Sequence, residues 1–353
     1  VKDLLIRADA TGKIGTGHVM RCLALAEAWQ RRGGRAVFLG HCESESLRSR
    51  ISSGGFDFIP LEKCCPDPLD IDHTINILHK LNARPETRNT WLVADGYHYD
   101  DVFQRKVTEA GYPLLLIDDY GQSRHCYADI VLNQNMLASS AFYPNREPHA
   151  LLLLGPSYAL IRQEFLSWRD RPRRISDVAR KILITMGGAD PGNVTLEVLR
   201  VLRQLEMPGT EIRVVMGHTN PNCGQIREEC DHTIPNLQFL FSAENMPELM
   251  AWADLAIIQA GGTLWELLFM GCAVISYATS QLQEDILKAL EGMNILKYQG
   301  YSDGKEPHSL LSAIYEMASN KERREEISRL GMNIVDGQGA ARVLDRIHQL
   351  SIS

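Results

Sequence analysis

The chain has 353 residues, 44% of them hydrophobic and 23% charged, enough for two domains with full cores. A formal charge of -7 argues against general nucleic-acid binding, which goes with a basic excess, but leaves room for a local anion site. No apolar run is long enough to span a bilayer, and the opening VKDLLIRADA lacks the pattern of a signal peptide, so a cytoplasmic protein without a membrane partner is expected.

In chain order, short apolar runs alternate with helical periodicity. The expected strands are DLLIRAD, RAVFLG, TWLVAD, PLLLID, DIVLN and LLLLG, then KILITM, EIRVVMG, LQFLF, DLAIIQ and AVISYA. Between the first two lies HVMRCLALAEAWQRR, where Val19, Cys22, Leu23, Ala26 and Trp29 recur at helical spacing and form one apolar face. Repeated β–α alternation reads as α/β: parallel sheets with helices on both faces. The rhythm breaks between about 156 and 178, where SWRDRPRRISDVAR is charged and holds a proline. That places a linker there and predicts two doubly wound, Rossmann-like domains, 1–168 and 169–353, with a ligand in the cleft between them. The last helix, GAARVLDRIHQL, is a candidate to pack back on the first domain. Eight cysteines form no CxxC pair, and adjacent Cys64–Cys65 lacks zinc-ligand spacing, so reduced thiols are expected.

Three glycine turns follow strands. In GKIGTGHVMRC, Gly15 and Gly17 permit close backbone approach, and a helix starting near His18 would aim free N–H groups at the loop. As a dinucleotide fingerprint it is incomplete, because Met20 stands where the third glycine belongs. His18 reads either as a catalytic group or as an ordinary helix-start residue. In MGGADPGN, Gly187 and Gly188 precede Asp190–Pro191, an expected N-cap and first helical residue. In QAGGTLWELLFMG, Gly261 and Gly262 precede Thr263-x-x-Glu266, which has capping-box spacing, and Gly271 suits the position after the helix. Glu266 then reads equally as a cap or as a ligand for ribose hydroxyls. Asp70-Ile-Asp72 reads as first-turn acids before a metal motif. Asp95 and Asp118–Asp119 lie at strand carboxyl ends, which face a ligand cleft or cap the next helix.

The opening IRADATGKIGTGHVMRCLALA, with VADGYHYD, LIDDYGQSRHCYADIVLNQN and GPSYALIRQEF, resembles the nucleotide-sugar hydrolases of pseudaminic acid biosynthesis, a family that includes spore-coat polysaccharide proteins. The stretch FSAENMPELMAWADLAIIQAGGTLWELLFMGCAVISY is similar to the wider group containing the lipid II N-acetylglucosaminyltransferase. The resemblance covers most of the chain, in order, and IG-x-GH-x-x-R and SYALIR are its most specific parts. It implies a glycosyltransferase-B-like fold and hydrolysis of a UDP-linked diacetamido-trideoxy sugar at its anomeric carbon, with no metal or other cofactor. Water replaces the sugar acceptor, and the product serves surface glycans such as flagellin modification. Partners are then the UDP-sugar and water, and the chain a monomer or weak homo-oligomer.

By the same resemblance His18 is the catalytic base, flanked by Gly15, Gly17 and Arg21. Asp9 is the acidic residue after the first strand, and Tyr97 a sugar contact. Gly187 and Gly188 face the pyrophosphate. Gly261 and Gly262 belong to the nucleotide turn, and Glu266 takes the ribose. Uracil falls near Phe241 to Met246, and Gln281, Gln283 and Glu284 approach the sugar. Two residues depart from the family pattern: Met20 replaces a common polar residue, and Gly96 in GYHYD stands where histidine is frequent. The chemistry is coherent, since UDP is a good leaving group while water needs a base with a pKa near neutrality, as histidine has. A UDP-sugar glycosyltransferase of the same fold is the alternative.

Overall fold

A computed structural model describes residues 3–83, 90–217, 220–230, 234–241, 243, 245–301 and 307–351, with 307 and 308 as backbone. By internal contacts the chain divides into two units, Val1–Gln163 with Gly337–Ser353, and Glu164–Asp336.

The first unit is built on a parallel sheet of β1 (Asp3–Ala8), β2 (Arg35–Gly40), β3 (Asp57–Pro60), β4 (Trp91–Asp95), β5 (Leu114–Ile117), β6 (Ile130–Asn133) and β7 (Leu151–Leu154). Their order across the sheet is β3-β2-β1-β4-β5-β6-β7. The chain thus winds outward from β1, returns, and winds the other way from β4. This makes the β1/β4 junction a topological switch point, where the following loops part and leave a crevice. Register places Ala8 beside Asp95 at that junction.

Strand alternation sorts the core onto two faces. Leu4 and Ile6 pack with Val19, Cys22 and Leu23 of the first helix, Gly17–Arg31. Leu5 packs on the other face with Leu78, Phe103 and Val107. The helix Gly339–Leu350 joins the first face through Val343, Leu344 and Ile347. Gly339 is required there, because a Cβ would lie 2.2 Å from the Ala159 carbonyl oxygen. Trp91 Nε1 donates to Ser351 Oγ at 3.0 Å and ties the helix end to β4.

The second unit holds β8 (Lys181–Thr185), β9 (Glu211–Met216), β10 (Leu237–Phe241), β11 (Leu255–Gln259), β12 (Ala273–Ala278) and β13 (Lys297–Tyr301). These are parallel in the order β10-β9-β8-β11-β12-β13, so its switch point is β8/β11. Two strands, β3 and β13, are not among those expected from the sequence. Both are sheet edges, DFIP and KYQGY, with partly exposed residues throughout, so neither carries the unbroken apolar run of a strand buried on both faces.

Two local expectations need correction. Asp190 and Pro191 do not open their helix, which runs Val194–Leu202. Asp190 takes a positive φ and its carboxylate reaches forward to accept from the Val194 and Thr195 amides at 2.9 and 3.0 Å. It caps the helix from four residues upstream, with Pro191 in the turn between. The capping box at Thr263–Glu266 does not form either. The helix Gly262–Phe269 starts from Gly261, which has no side chain to cap it, so Thr263 is already inside the helix. Gly271, with φ of 65°, does occupy the left-handed position after that helix.

Candidate active site

At the β1/β4 switch point the loop after β1 is closed by its own bonds: Gly15 N donates to the Thr11 carbonyl at 2.8 Å, and Thr11 Oγ1 accepts from Ile14 N. Gly15 sits at φ of 74°. The chain is thereby turned so that His18 falls in the first turn of its helix, with Arg21 one turn on along the same face.

Both side chains converge on Asp95 at the end of β4. His18 Nδ1 lies 2.7 Å from Asp95 Oδ1. Arg21 grips the same carboxylate with two prongs, Nε to Oδ2 and Nη2 to Oδ1, each 2.6 Å. Cys22 Sγ donates to Asp95 Oδ2 at 3.4 Å. Burial opposes the charge on Asp95, but Arg21, then His18, hold its carboxyl well below the usual carboxylate range. A carboxylate only accepts, so the shared proton belongs to Nδ1, and Nε2 carries the lone pair. Among the described residues the ring's hydrogen-bond contacts are at Nδ1, with Asp95 and, longer at 3.4 Å, Arg21 Nη2, and none is at Nε2. This is the orientation of a histidine base held by a carboxylate.

The ring is more sheltered than a loop tip implies. His18 is 7% exposed, because Tyr97 stands edge-on over it at 4.9 Å between centroids. Tyr97 is itself 49% exposed and packs edge-on with Tyr120 at 5.1 Å. Behind them Arg21 Nη1 reaches Asp119 at 3.0 Å, and Asp119 also accepts from Asn135 Nδ2 at 3.1 Å and Tyr97 OH at 3.5 Å.

Asp9 lies apart from this group. It is buried against Arg7 through a two-pronged ion pair and accepts from the His41 and Cys65 amides at 2.8 and 3.0 Å. Burial disfavours its charge, yet these bonds hold its pKa below the ordinary value. Arg7 also pairs with Asp70 at 2.7 Å, so the first-turn acid Asp70 completes a buried structural cluster. The Cys65 thiol and His98 ring lie beside Asp9 with metal-ligand spacing. The acceptor positions of Asp9 are taken by Arg7 and the two amides, whereas His98 Nε2 is buried without a hydrogen-bond partner among the described residues.

In the second unit the glycine turns stand at β8/β11, while Met246 follows β10 and Gln281, Gln283 and Glu284 follow β12. Gly187 follows β8 at φ of 81° with open space where a Cβ would stand. Gly188 packs under Gly217, whose own Cβ would meet the Gly188 carbonyl at 2.2 Å. Gly261 and Gly262 open the helix after β11 with nothing within 4 Å of an added Cβ. Glu266 is buried one turn further on. Gln283 ties two turns together: its Nε2 donates to the Ala260 carbonyl at 3.1 Å, and its Oε1 accepts from Thr279 N at 2.8 Å. Gln281 and Glu284 are engaged with each other at 3.1 Å, and Lys288 pairs with Glu284 at 2.7 Å, pulling its carboxyl pKa down. Met246 opens the helix Met246–Trp252 and is buried; of its expected neighbours, Ser242 and Glu244 lie outside the described residues.

The sequence marks Asp95 and Asp119 as strand-end acids but does not pair them with His18 and Arg21, and it does not single out Arg7, Tyr120 or Asn135. The available signal was position: acids closing β4 and β5, the two strands that follow the switch in winding.

Comparison with known proteins bears on both units. Residues 182–337 match the glycosyltransferase family 28 C-terminal domain. The fold is the glycosyltransferase-B fold. The chain is 28% identical over 314 residues to the uncharacterized protein MJ1062 of Methanocaldococcus jannaschii, covering 84% of this chain and 61% of that longer protein. It is 28% identical over 276 residues to the UDP-2,4-diacetamido-2,4,6-trideoxy-beta-L-altropyranose hydrolase of Campylobacter jejuni, covering 76% of this chain and 88% of the relative. The S. aureus MnaA–UDP structure superposes with a TM-score of 0.72 at 11% identity, over 100% of this chain and 98% of that one. Among the described residues no helix is long and apolar enough to cross a membrane.

Proposed function

We propose that the chain hydrolyses a UDP-linked amino-deoxy sugar at its anomeric carbon, with His18 Nε2 taking a proton from the attacking water. The observation that carries this reading is the 2.7 Å bond from His18 Nδ1 to Asp95, which selects the tautomer with a basic Nε2. The likeness to the Campylobacter hydrolase supports the substrate class, a UDP-diacetamido-trideoxy sugar. UDP departs carrying its own negative charge and needs stabilisation more than protonation, which backbone amides at helix starts supply. We assign that role to the turns at Gly187–Gly188 and Gly261–Gly262, and the ribose to Glu266. Uracil is assigned to the start of the helix at Met246, and the sugar to Tyr97, Gln281, Gln283 and Glu284, while Arg21, engaged by Asp95 and Asp119, flanks His18. Single displacement by water inverts the anomeric centre.

The match of residues 182–337 to a glycosyltransferase domain favours a second reading, transfer to a sugar or lipid acceptor. One experiment separates the two. Purified protein is incubated with the altrose-derived UDP-sugar and with UDP-N-acetylglucosamine, without acceptor, and followed by NMR. Release of UDP and free sugar of inverted configuration supports hydrolysis. Turnover that appears only after an acceptor is added supports transfer.

A further inference from the structure

We propose that Asp119, acting through Arg21, is a positioning residue that keeps the His18 site one negative charge in excess, so that the site becomes neutral as His18 takes up a proton. The inference rests on the assignment of His18 as base and goes beyond it to what sets that base's strength.

The argument is one of charge count in a closed space. Asp95 is fully buried and Arg21 nearly so, and the bidentate pairing of the two cancels their charges. With Asp95 alone, an imidazolium at His18 would leave an uncompensated cation in a site that is mostly shut off from water, which is costly. Asp119 changes the count. Its carboxylate meets the outer nitrogen of Arg21, Nη1, at 3.0 and 3.1 Å, on the prong that Asp95 does not use. The resting group is two carboxylates against one guanidinium, and protonation of His18 brings it to zero.

The other polar groups near His18 do not replace this charge. Cys22, on the same helix, offers a thiol that burial keeps protonated, and Tyr97 and Tyr120 present neutral rings. His98, on the loop after β4, is pushed toward its neutral form, by burial first and by the Arg7 charge second. Asp119 is in turn held by Asn135 and by Tyr97 OH, the exposed ring covering His18, so this carboxylate and that cover are mechanically linked.

The test compares wild type with Asp119→Asn, which keeps size and one acceptor oxygen but removes the charge, and with Asp119→Glu, which restores it. The protonation of His18 is followed by NMR of ring-labelled histidine, with His18→Gln assigning the resonance, alongside the pH dependence of kcat/KM. In Asp119→Asn the protonation midpoint of His18 and the acidic limb of kcat/KM are expected to move to lower pH by about one unit. The value of kcat is expected to fall about tenfold, and Asp119→Glu to restore the wild-type limb. A folded Asp119→Asn protein whose His18 midpoint stays at the wild-type value overturns the proposal. A midpoint that moves while the activity profile does not upholds the electrostatic role of Asp119 and removes His18 as the base, so the two ideas fail separately.

Discussion

The two switch points are built from different materials. At β1/β4 the polar groups are charged side chains: His18, Arg21, Asp95 and Asp119 form one connected network, and Arg7, Asp9 and Asp70 another beside it. At β8/β11 the chain presents glycines and a helix start with no side-chain cap, linked by the neutral amide of Gln283. Charged networks hold or move a proton, because their members titrate and their geometry is locked by ion pairs. Bare backbone turns accommodate an anion, because N–H groups supply partial positive charge without side-chain bulk. On the proposed function, one doubly wound topology would separate proton chemistry from anion recognition by the choice of loop residues.

This contrast is open to direct attack. The largest effect is expected from His18→Ala, which should lower kcat by about 10²–10⁴-fold while leaving the affinity for UDP, measured by calorimetry, unchanged. Wild-type turnover in this variant would abolish the division of labour. Asp95→Ala comes next. It strips His18 and Arg21 of their shared acceptor and leaves a buried guanidinium short of a partner, so urea unfolding at pH 7 should show a loss of about 3–5 kcal/mol.

The pH dependence of that loss follows from the depressed carboxyl pKa of Asp95. A group depressed on folding contributes fully above its unfolded value, about 3.9, and loses the contribution as pH falls toward the folded value. The part of the gap between wild type and Asp95→Ala that the Asp95 carboxyl itself carries should therefore narrow only below about pH 4, and a change between pH 6 and 8 would report His18, which the substitution leaves without its carboxylate partner.

Gly187→Ala sharpens the other side. An alanine there meets no atom within 4 Å but must adopt φ of 81°, so the cost is strain alone, about 1–2 kcal/mol, with UDP affinity falling and the pH profile of kcat unmoved. The smallest effect belongs to Ser280→Ala. Ser280 Oγ accepts from Gln283 N at 3.3 Å as the N-cap of the helix Gln281–Gly292, and its loss should cost about 1 kcal/mol in thermal unfolding without altering catalysis.

Much of the architecture was legible from residues alone. Runs such as KILITM and DLAIIQ announce strands buried on both faces, and the apolar stripe of HVMRCLALAEAWQRR announces the first helix, because burial imposes a period that survives in the sequence. Edge strands β3 and β13 left no such imprint, since none of their residues is fully buried. Local capping was legible in kind but not in register. Asp190 does bond helix amides, but from further away than spacing implied, and Thr263 lost its capping place because an extended Gly261 starts the helix earlier.

By itself, then, the sequence determined two doubly wound sheets, the glycine turns that end their strands, and a histidine and an arginine one helical turn apart after the first strand. These are matters of period and local backbone freedom, which neighbouring residues settle among themselves. Only the tertiary structure decided that His18 shares a carboxylate with Arg21, that Asp9 turns away to Arg7, and that Tyr97 covers the imidazole. The partnerships of His18 and Arg21 with Asp95 join residues 77 and 74 positions apart, and they exist because the parallel sheet brings the ends of β1 and β4 side by side.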